Sequence, residues 1–200
     1  MKIGGLQKLS LIDYPGKTCA VIFTQGCNFR CSYCHNPELV YPELFAEPIS
    51  FEHTYEFLKA KSGLLDGVVF SGGEPTLHGD LIERIRDIRS LGYAVKLDTN
   101  GSNPDVLSEV LPCLDYVAMD IKAPMGNKYT SICGMSVDDY DIRVSMLLIK
   151  ASGIQHEFRT TFDRKLLENT DIAKIKSLAG GSKFNLQECL SLKKYPGHTT

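Results

Sequence analysis

The sequence predicts an α/β fold: an incomplete, TIM-type barrel of six βα units with parallel strands, forming a single domain over residues 1–200. Three observations predict it. Short apolar or β-branched runs alternate with amphipathic helical patterns, the rhythm of βα units around a parallel sheet. The chain has 200 residues, 43% of them hydrophobic, enough for one core but short of the roughly 250 that eight units need. No linker, low-complexity segment or internal repeat divides it.

The elements follow in order. A first strand spans 19–24. A helix over 50–61 starts at Ser50, a plausible N-cap. A short buried strand occupies 67–71. The clearest helix is 80–91, where Leu81, Ile82, Ile85, Ile88 and Leu91 share a face and Asp80 and Glu83 have capping-box spacing. Gly92 stops it. The strand 94–98 comes next, and Asn103-Pro104 opens a helix with proline at its first position. Strand 116–121, helix 136–152 ended by Gly153, strand 156–162, helix 170–179 ended by Gly180-Gly181, and strand 184–189 complete the series. In such folds chemistry sits at the C-terminal strand ends, so each end is read for polar residues.

Composition removes several function classes. The net charge is −2, so no basic excess drives nucleic-acid binding. The longest uninterrupted apolar run is 19–23, far below the roughly 20 residues of a membrane span. Residues 1–5 contain no apolar signal region, and a cytoplasmic protein is expected. Seven cysteines in such a chain are not a disulfide framework.

Three of those cysteines stand together. The first strand runs into Gln25-Gly26-Cys27-Asn28-Phe29-Arg30-Cys31-Ser32-Tyr33-Cys34-His35-Asn36, a C-x3-C-x2-C spacing. Unrelated thiols, a zinc site with His35 as fourth ligand, and a [4Fe-4S] cluster with one open iron are the three readings. Structural zinc normally takes four closed ligands, and an electron-transfer cluster four cysteines. The remaining cysteines, Cys19, Cys113, Cys133 and Cys189, are widely spaced and read as small core residues.

The loop resembles the signature of the radical S-adenosylmethionine (SAM) superfamily, C-x3-C-x-aromatic-C after the first barrel strand. That resemblance implies that Cys27, Cys31 and Cys34 hold the cluster and Tyr33 lines an adenine pocket. It further implies that the open iron chelates the methionine end of SAM, which is cleaved to a 5′-deoxyadenosyl radical. Gly72, Gly73 and Glu74 match the stretch that binds the methionine ammonium. Asp98-Thr99-Asn100-Gly101 and Asp120-Ile121-Lys122 are similar to strand ends of glycyl-radical-enzyme activases. By that resemblance Asp98, Asp120 and Lys122 hold the ribose and methionine ends, and Asp98, Thr99 and Asp120 offer oxygens to a small monovalent cation. Arg159, if it faces inward, pairs with the methionine carboxylate; the alternative is an Arg on the helix side with a packed stem. Gln187 is a weaker contact.

Leu11-Ile12-Asp13-Tyr14-Pro15-Gly16, followed by the Cys-His-Asn stretch, resembles the activase branch. Nearly the whole chain is similar to anaerobic ribonucleoside-triphosphate reductase activating proteins. The resemblance implies abstraction of a glycine α-hydrogen from a partner glycyl radical enzyme, with flavodoxin or ferredoxin as electron donor. The short tail 193–200 departs from that subgroup. Two rival functions are weighed against this one: a radical SAM enzyme acting on a small purine- or pterin-type molecule, and a non-enzymatic iron–sulfur or zinc protein.

Overall fold

The computed structural model describes residues 1–189 and contains one seven-stranded sheet in the order β1 to β7. β1 (Ile3–Ser10) is antiparallel to β2 (Cys19–Thr24). The rest are parallel: β3 (Gly67–Gly72), β4 (Ala94–Thr99), β5 (Tyr116–Asp120), β6 (Gln155–Phe162) and β7 (Lys183–Glu188). Helices α1 (Phe51–Ala60), α2 (Leu81–Ser90), α3 (Pro104–Val110), α4 (Asn127–Cys133), α5 (Asp139–Ser152) and α6 (Asn169–Ala179) fill the crossovers. The arrangement is an open, incomplete barrel. The tail 193–200 lies outside the described residues.

All six expected strands are present. β1 is an addition: its Gly4-Gly5 pair and half-exposed side chains give little strand signal, and pairing with β2 supplies the missing stability. α4 is a second addition, seven residues with few strong helix formers. The helix expected over 136–152 begins instead at Asp139, capped by the Asp138 side chain on Tyr140 N–H. Ser50 caps α1 as expected, accepting from His53 N–H at 3.1 Å. The expected capping box on α2 does not form. Asp80 turns away to the Met1 ammonium at 2.6 Å and to Arg84 at 3.0 Å.

Strand side chains alternate between two faces. One face packs against the helices: Ala20 and Ile22, Val68 and Phe70, Val95 and Leu97, Val117 and Met119, and Phe158 are all buried there. The other lines the barrel. Its floor is apolar, built from Tyr14, Cys19, Val21, Val69, Tyr116 and Ala118. Tyr14 plugs it, its ring 5.9 Å from Tyr116. Toward the C-terminal ends the same face turns polar.

Candidate active site

Thr24 ends β2, and the chain enters the cysteine loop through Gly26 at φ +97°. The loop is held from within and from behind. Phe29, Cys31 and Tyr33 are buried, and Cys34 N–H donates to Cys31 O at 3.0 Å. The Arg30 guanidinium donates to the Cys27 and Phe29 carbonyls at 2.6 and 2.8 Å. Its own N–H donates to Cys133 O at 2.7 Å, which ties the loop to the end of α4.

β3 approaches the loop as closely as backbone allows. Gly73 N–H donates to Thr24 O at 2.9 Å, and Glu74 N–H to Gly26 O at 2.8 Å. A Cβ on Gly73 would stand 2.0 Å from Gly26 O, and one on Gly72, at φ +107°, 2.5 Å from Thr24 N. These glycines therefore fit two chain segments together, a reason distinct from closeness to a ligand.

Glu74 is fully buried, and its carboxylate is already engaged. Oε1 accepts from Thr76 N–H, Thr76 Oγ1 and Thr99 Oγ1 at 3.1, 2.6 and 2.8 Å, and Oε2 from Asn100 N–H at 2.7 Å. Burial pushes its pKa up, against the pull of those donors. The carboxylate clamps the ends of β3 and β4, with Thr99 as part of that clamp, and both residues border the cavity.

The polar rim is a chain of alternating charge. Lys96 Nζ, buried, donates to Asp13 O at 2.7 Å and to Asp98 Oδ1 at 2.6 Å. Asp98 Oδ2 accepts from Ser71 Oγ at 3.1 Å and from Arg159 at 3.4 Å. Arg159 Nε donates to Asp120 Oδ1 at 2.8 Å, and Lys122 Nζ to Asp120 Oδ2 at 3.0 Å. Burial works to raise the Asp120 pKa, but Arg159 and Lys122 outweigh it and hold the carboxyl below its usual range. Burial likewise opposes the charge on Lys122 and Arg159, and Asp120 overrides it, pushing both upward.

Arg159 faces inward as expected, and its hydrogen bonds go to carboxylates of the chain itself. The guanidinium also stands between Asp98 and Asp120, the two carboxylates expected to offer oxygens to a cation, and Thr99 is turned to Glu74.

Most of these groups border one cavity. Cys27, Cys31, Cys34, Tyr33 and His35 are among the residues on one side; Gly72, Gly73, Glu74, Asp98, Thr99, Asn100, Asp120, Lys122, Arg159, Thr161 and Gln187 are among those that line the rest. It holds about 230 Å³, several times the ~30 Å³ of one water, so it suits a group far larger than a single ion. Among the described residues, no three Cys, His, Asp or Glu side chains converge tightly enough for one metal ion. Three thiols line one wall, a donor set that would suit a [4Fe-4S] cluster.

Burial raises the Cys27 thiol to about 12 and pushes Cys34 up as well. Cys31 goes the other way, downward, through its coupling to the neighbouring Cys133 thiol. Tyr33 is buried against the cavity, and its hydroxyl has no hydrogen-bond partner among the described residues.

Sequence reasoning missed four residues here. Asn100 binds Asn28 Oδ1 at 3.0 Å through its amide and so joins the β4 turn to the cysteine loop. Asn28 also donates to Ser102 Oγ at 2.8 Å. Lys96 was detectable, two residues before Asp98 and therefore on its face. Cys133 was not, because only α4 brings it to Cys31.

The family model described as the radical SAM superfamily matches residues 21–161. A glycyl-radical enzyme activating enzyme of Methanocaldococcus jannaschii is 38% identical over 181 residues, covering 86% of this chain and 73% of that protein. The chain belongs to the radical SAM superfamily, in its glycyl-radical enzyme activating family. This radical SAM chain is also 33% identical over 150 residues to a pyruvate formate-lyase-activating enzyme of Clostridium pasteurianum. That match covers 70% of the chain and 60% of the relative. Among solved structures, native anSMEcpe with bound AdoMet superposes with a TM-score of 0.65 at 17% identity, over 86% of this chain and 52% of that one. Streptococcus suis SuiB bound to its precursor peptide gives 0.69 at 13% identity, over 85% and 38%. Those two share the fold of this chain. The family implies a [4Fe-4S] cluster and SAM as the bound groups. Among the described residues, no helix is long and apolar enough to cross a membrane.

Proposed function

We propose that this chain activates a glycyl radical enzyme by removing an α-hydrogen from one glycine of that partner, with anaerobic ribonucleoside-triphosphate reductase as the partner. The observation that carries the reading is the cavity itself: three thiols on one wall and a charged rim on the other. Cys27, Cys31 and Cys34 would hold the [4Fe-4S] cluster, which supplies the low-potential electron that cleaves SAM.

The chain's own residues do the orienting. The Lys122 ammonium, fixed by Asp120, faces the cavity as a point charge for the methionine carboxylate. Asp98 and Asp120 present oxygens to ribose hydroxyls, and Arg159 holds both carboxylates in place. Backbone of Gly72 and Gly73 borders the space for the methionine ammonium, and the Tyr33 ring offers an apolar wall to adenine. Phe29 and Val40 complete that wall and restrict water near the sulfurs. The low-potential donor would be a flavodoxin or ferredoxin. Glycine suits the product, because a planar backbone radical needs a residue without a side chain.

Anaerobic reconstitution with iron and sulfide, then dithionite and SAM, should release 5′-deoxyadenosine, and Cys31→Ala should abolish release. Adding the anaerobic reductase should give a glycyl EPR doublet. Equal release from Cys31→Ala would defeat the cluster assignment. Release without a doublet, but with turnover of a small purine or pterin, would move the function to the small-molecule reading.

A further inference from the structure

The cysteine loop is tied down on two sides. Toward α4, Arg30 N–H donates to Cys133 O at 2.7 Å. Toward β4, three polar side chains close a ring, and Asn28, the residue after Cys27, is the loop's member of it. Asn28 Nδ2 donates to Ser102 Oγ at 2.8 Å, Ser102 Oγ to Asn100 Oδ1 at 2.6 Å, and Asn100 Nδ2 back to Asn28 Oδ1 at 3.0 Å. Each side chain gives one hydrogen bond and takes one. Ser102 N–H also donates to Asn100 Oδ1, at 2.9 Å, which fixes the direction of the ring. With the Asn100 amide turned over, two donors would face each other.

The β4 side of the ring is anchored in turn. Asn100 is buried, and its backbone N–H donates to Glu74 Oε2 at 2.7 Å. Gly101 follows at φ +74°; a Cβ there would stand 2.0 Å from Met119 Cε, and its carbonyl accepts from Ser145 Oγ of α5 at 2.7 Å. Glu74 also reaches the loop directly, its N–H donating to Gly26 O at 2.8 Å. Gly26, Glu74, Asn100 and Asn28 thus form a closed circuit through the loop, the end of β3 and the turn after β4. Cys27 is the residue between the two loop anchors.

A pliable loop could still present three sulfurs to a cluster. An open iron meets a second ligand, however, only if the loop stands at one fixed distance from the groups that hold that ligand. The circuit sets such a distance, because Glu74 and Asn100 border the cavity together with Gly72, Gly73 and Asp98. We propose that Asn28 is a positioning residue: its ring with Asn100 and Ser102 fixes Cys27, and with it the open iron, against the strand ends that hold SAM. This rests on the cluster and SAM assignments made above. Asn28 is not among the residues that line the cavity, so it acts through Cys27 rather than on SAM itself.

The test is a double-mutant cycle on the full chain, reconstituted anaerobically. Iron and sulfide are assayed, and SAM affinity is read from the change SAM makes in the EPR spectrum of the reduced cluster. Ser102→Ala opens the ring at a residue outside the cysteine loop. It should weaken SAM binding at least about fivefold at unchanged iron content, the worth of one net hydrogen bond. Ser102→Thr keeps the hydroxyl and should restore affinity. Asn28→Ala should weaken binding at least as much as Ser102→Ala, and combining the two should cost nothing further, because the ring is already open. Wild-type affinity in Ser102→Ala, a Ser102→Thr chain as weak as Ser102→Ala, or losses that multiply in the double variant would overturn the proposal. So would a Ser102→Ala chain that takes up no cluster, which would make the ring a purely structural support. Should Asn28→Ala alone take up no cluster, the two Ser102 variants decide by the same criteria. In the chain without cluster, amide hydrogen exchange over residues 27–34 should be faster in Asn28→Ala and Ser102→Ala than in wild type; equal exchange in both would also overturn the proposal. A wild-type chain that forms no [4Fe-4S] cluster would instead defeat the proposed function, a separate result on which the exchange experiment does not depend.

Discussion

On β4 the barrel-lining face passes from Ala94 through Lys96 to Asp98; on β5 it passes from Tyr116 through Ala118 to Asp120. Five residues of strand thus lead from an apolar floor to a charged rim. The floor is close-packed and has no chemistry to offer: Cys19 there is held as a neutral thiol, pushed up to about 11 by burial. The rim keeps five charges in one hydrogen-bonded chain beside an open cavity. The difference shows how one strand serves two purposes, since packing at the N-terminal end frees the C-terminal end to hold groups that cost stability unless paired. Lys96 is the link, reaching down to Asp13 O and up to Asp98.

The comparison can be broken by putting volume or removing charge at chosen heights. The largest effect is expected at the seam of the rim. Gly73→Ala places a Cβ 2.0 Å from a backbone oxygen that cannot yield without moving the cysteine loop. Iron uptake should be lost, and Tm should fall by the equivalent of about 3 kcal/mol, the upper end for overpacking. Iron analysis and calorimetry check this. Asp120→Asn is next. It leaves Arg159 and Lys122 short of a partner, and with the site partly open to solvent the cost is about 2 kcal/mol, below the roughly 3–5 of a fully buried pair. SAM affinity should drop at least about tenfold, or about 1.4 kcal/mol, in equilibrium binding.

At the floor, Val69→Ala should cost about 1.5–2 kcal/mol by denaturant titration and leave SAM affinity unchanged. A change in affinity from that variant would show that floor and rim are not separable. The smallest effect is in acid. Asp120 is held below the usual carboxylate range, so its stabilising contribution is fully present above about pH 4, its unfolded value. That contribution is lost as pH falls further. Tm should therefore drop more steeply below pH 4 in wild type than in Asp120→Asn; parallel profiles would contradict the pairing.

Much of the fold was legible because its signals are periodic. The helix-side residues, such as Val68 and Phe70 or Leu81, Ile85 and Ile88, follow from spacing alone. β1 was not, since a glycine-rich edge strand owes its form to a neighbour. The cysteine loop was equally legible, being local. Where the site depends on contacts between strands, spacing fell short. It placed Glu74, Thr99 and Arg159 at the right strand ends but did not show that Glu74 and Thr99 bind each other or that Arg159 binds Asp98 and Asp120. Cys133 is a core residue, as its wide spacing suggested, but nothing around it in the chain marks α4 as the support of the loop through Arg30.

The central claim is that three thiolates leave one iron of a [4Fe-4S] cluster free for SAM. A Mössbauer spectrum of the reconstituted chain, recorded with and without SAM, tests it most directly. The account predicts that SAM sets one iron in four apart from the other three. Four irons that stay equivalent on adding SAM, or a site that takes up zinc in place of a cluster, would contradict it.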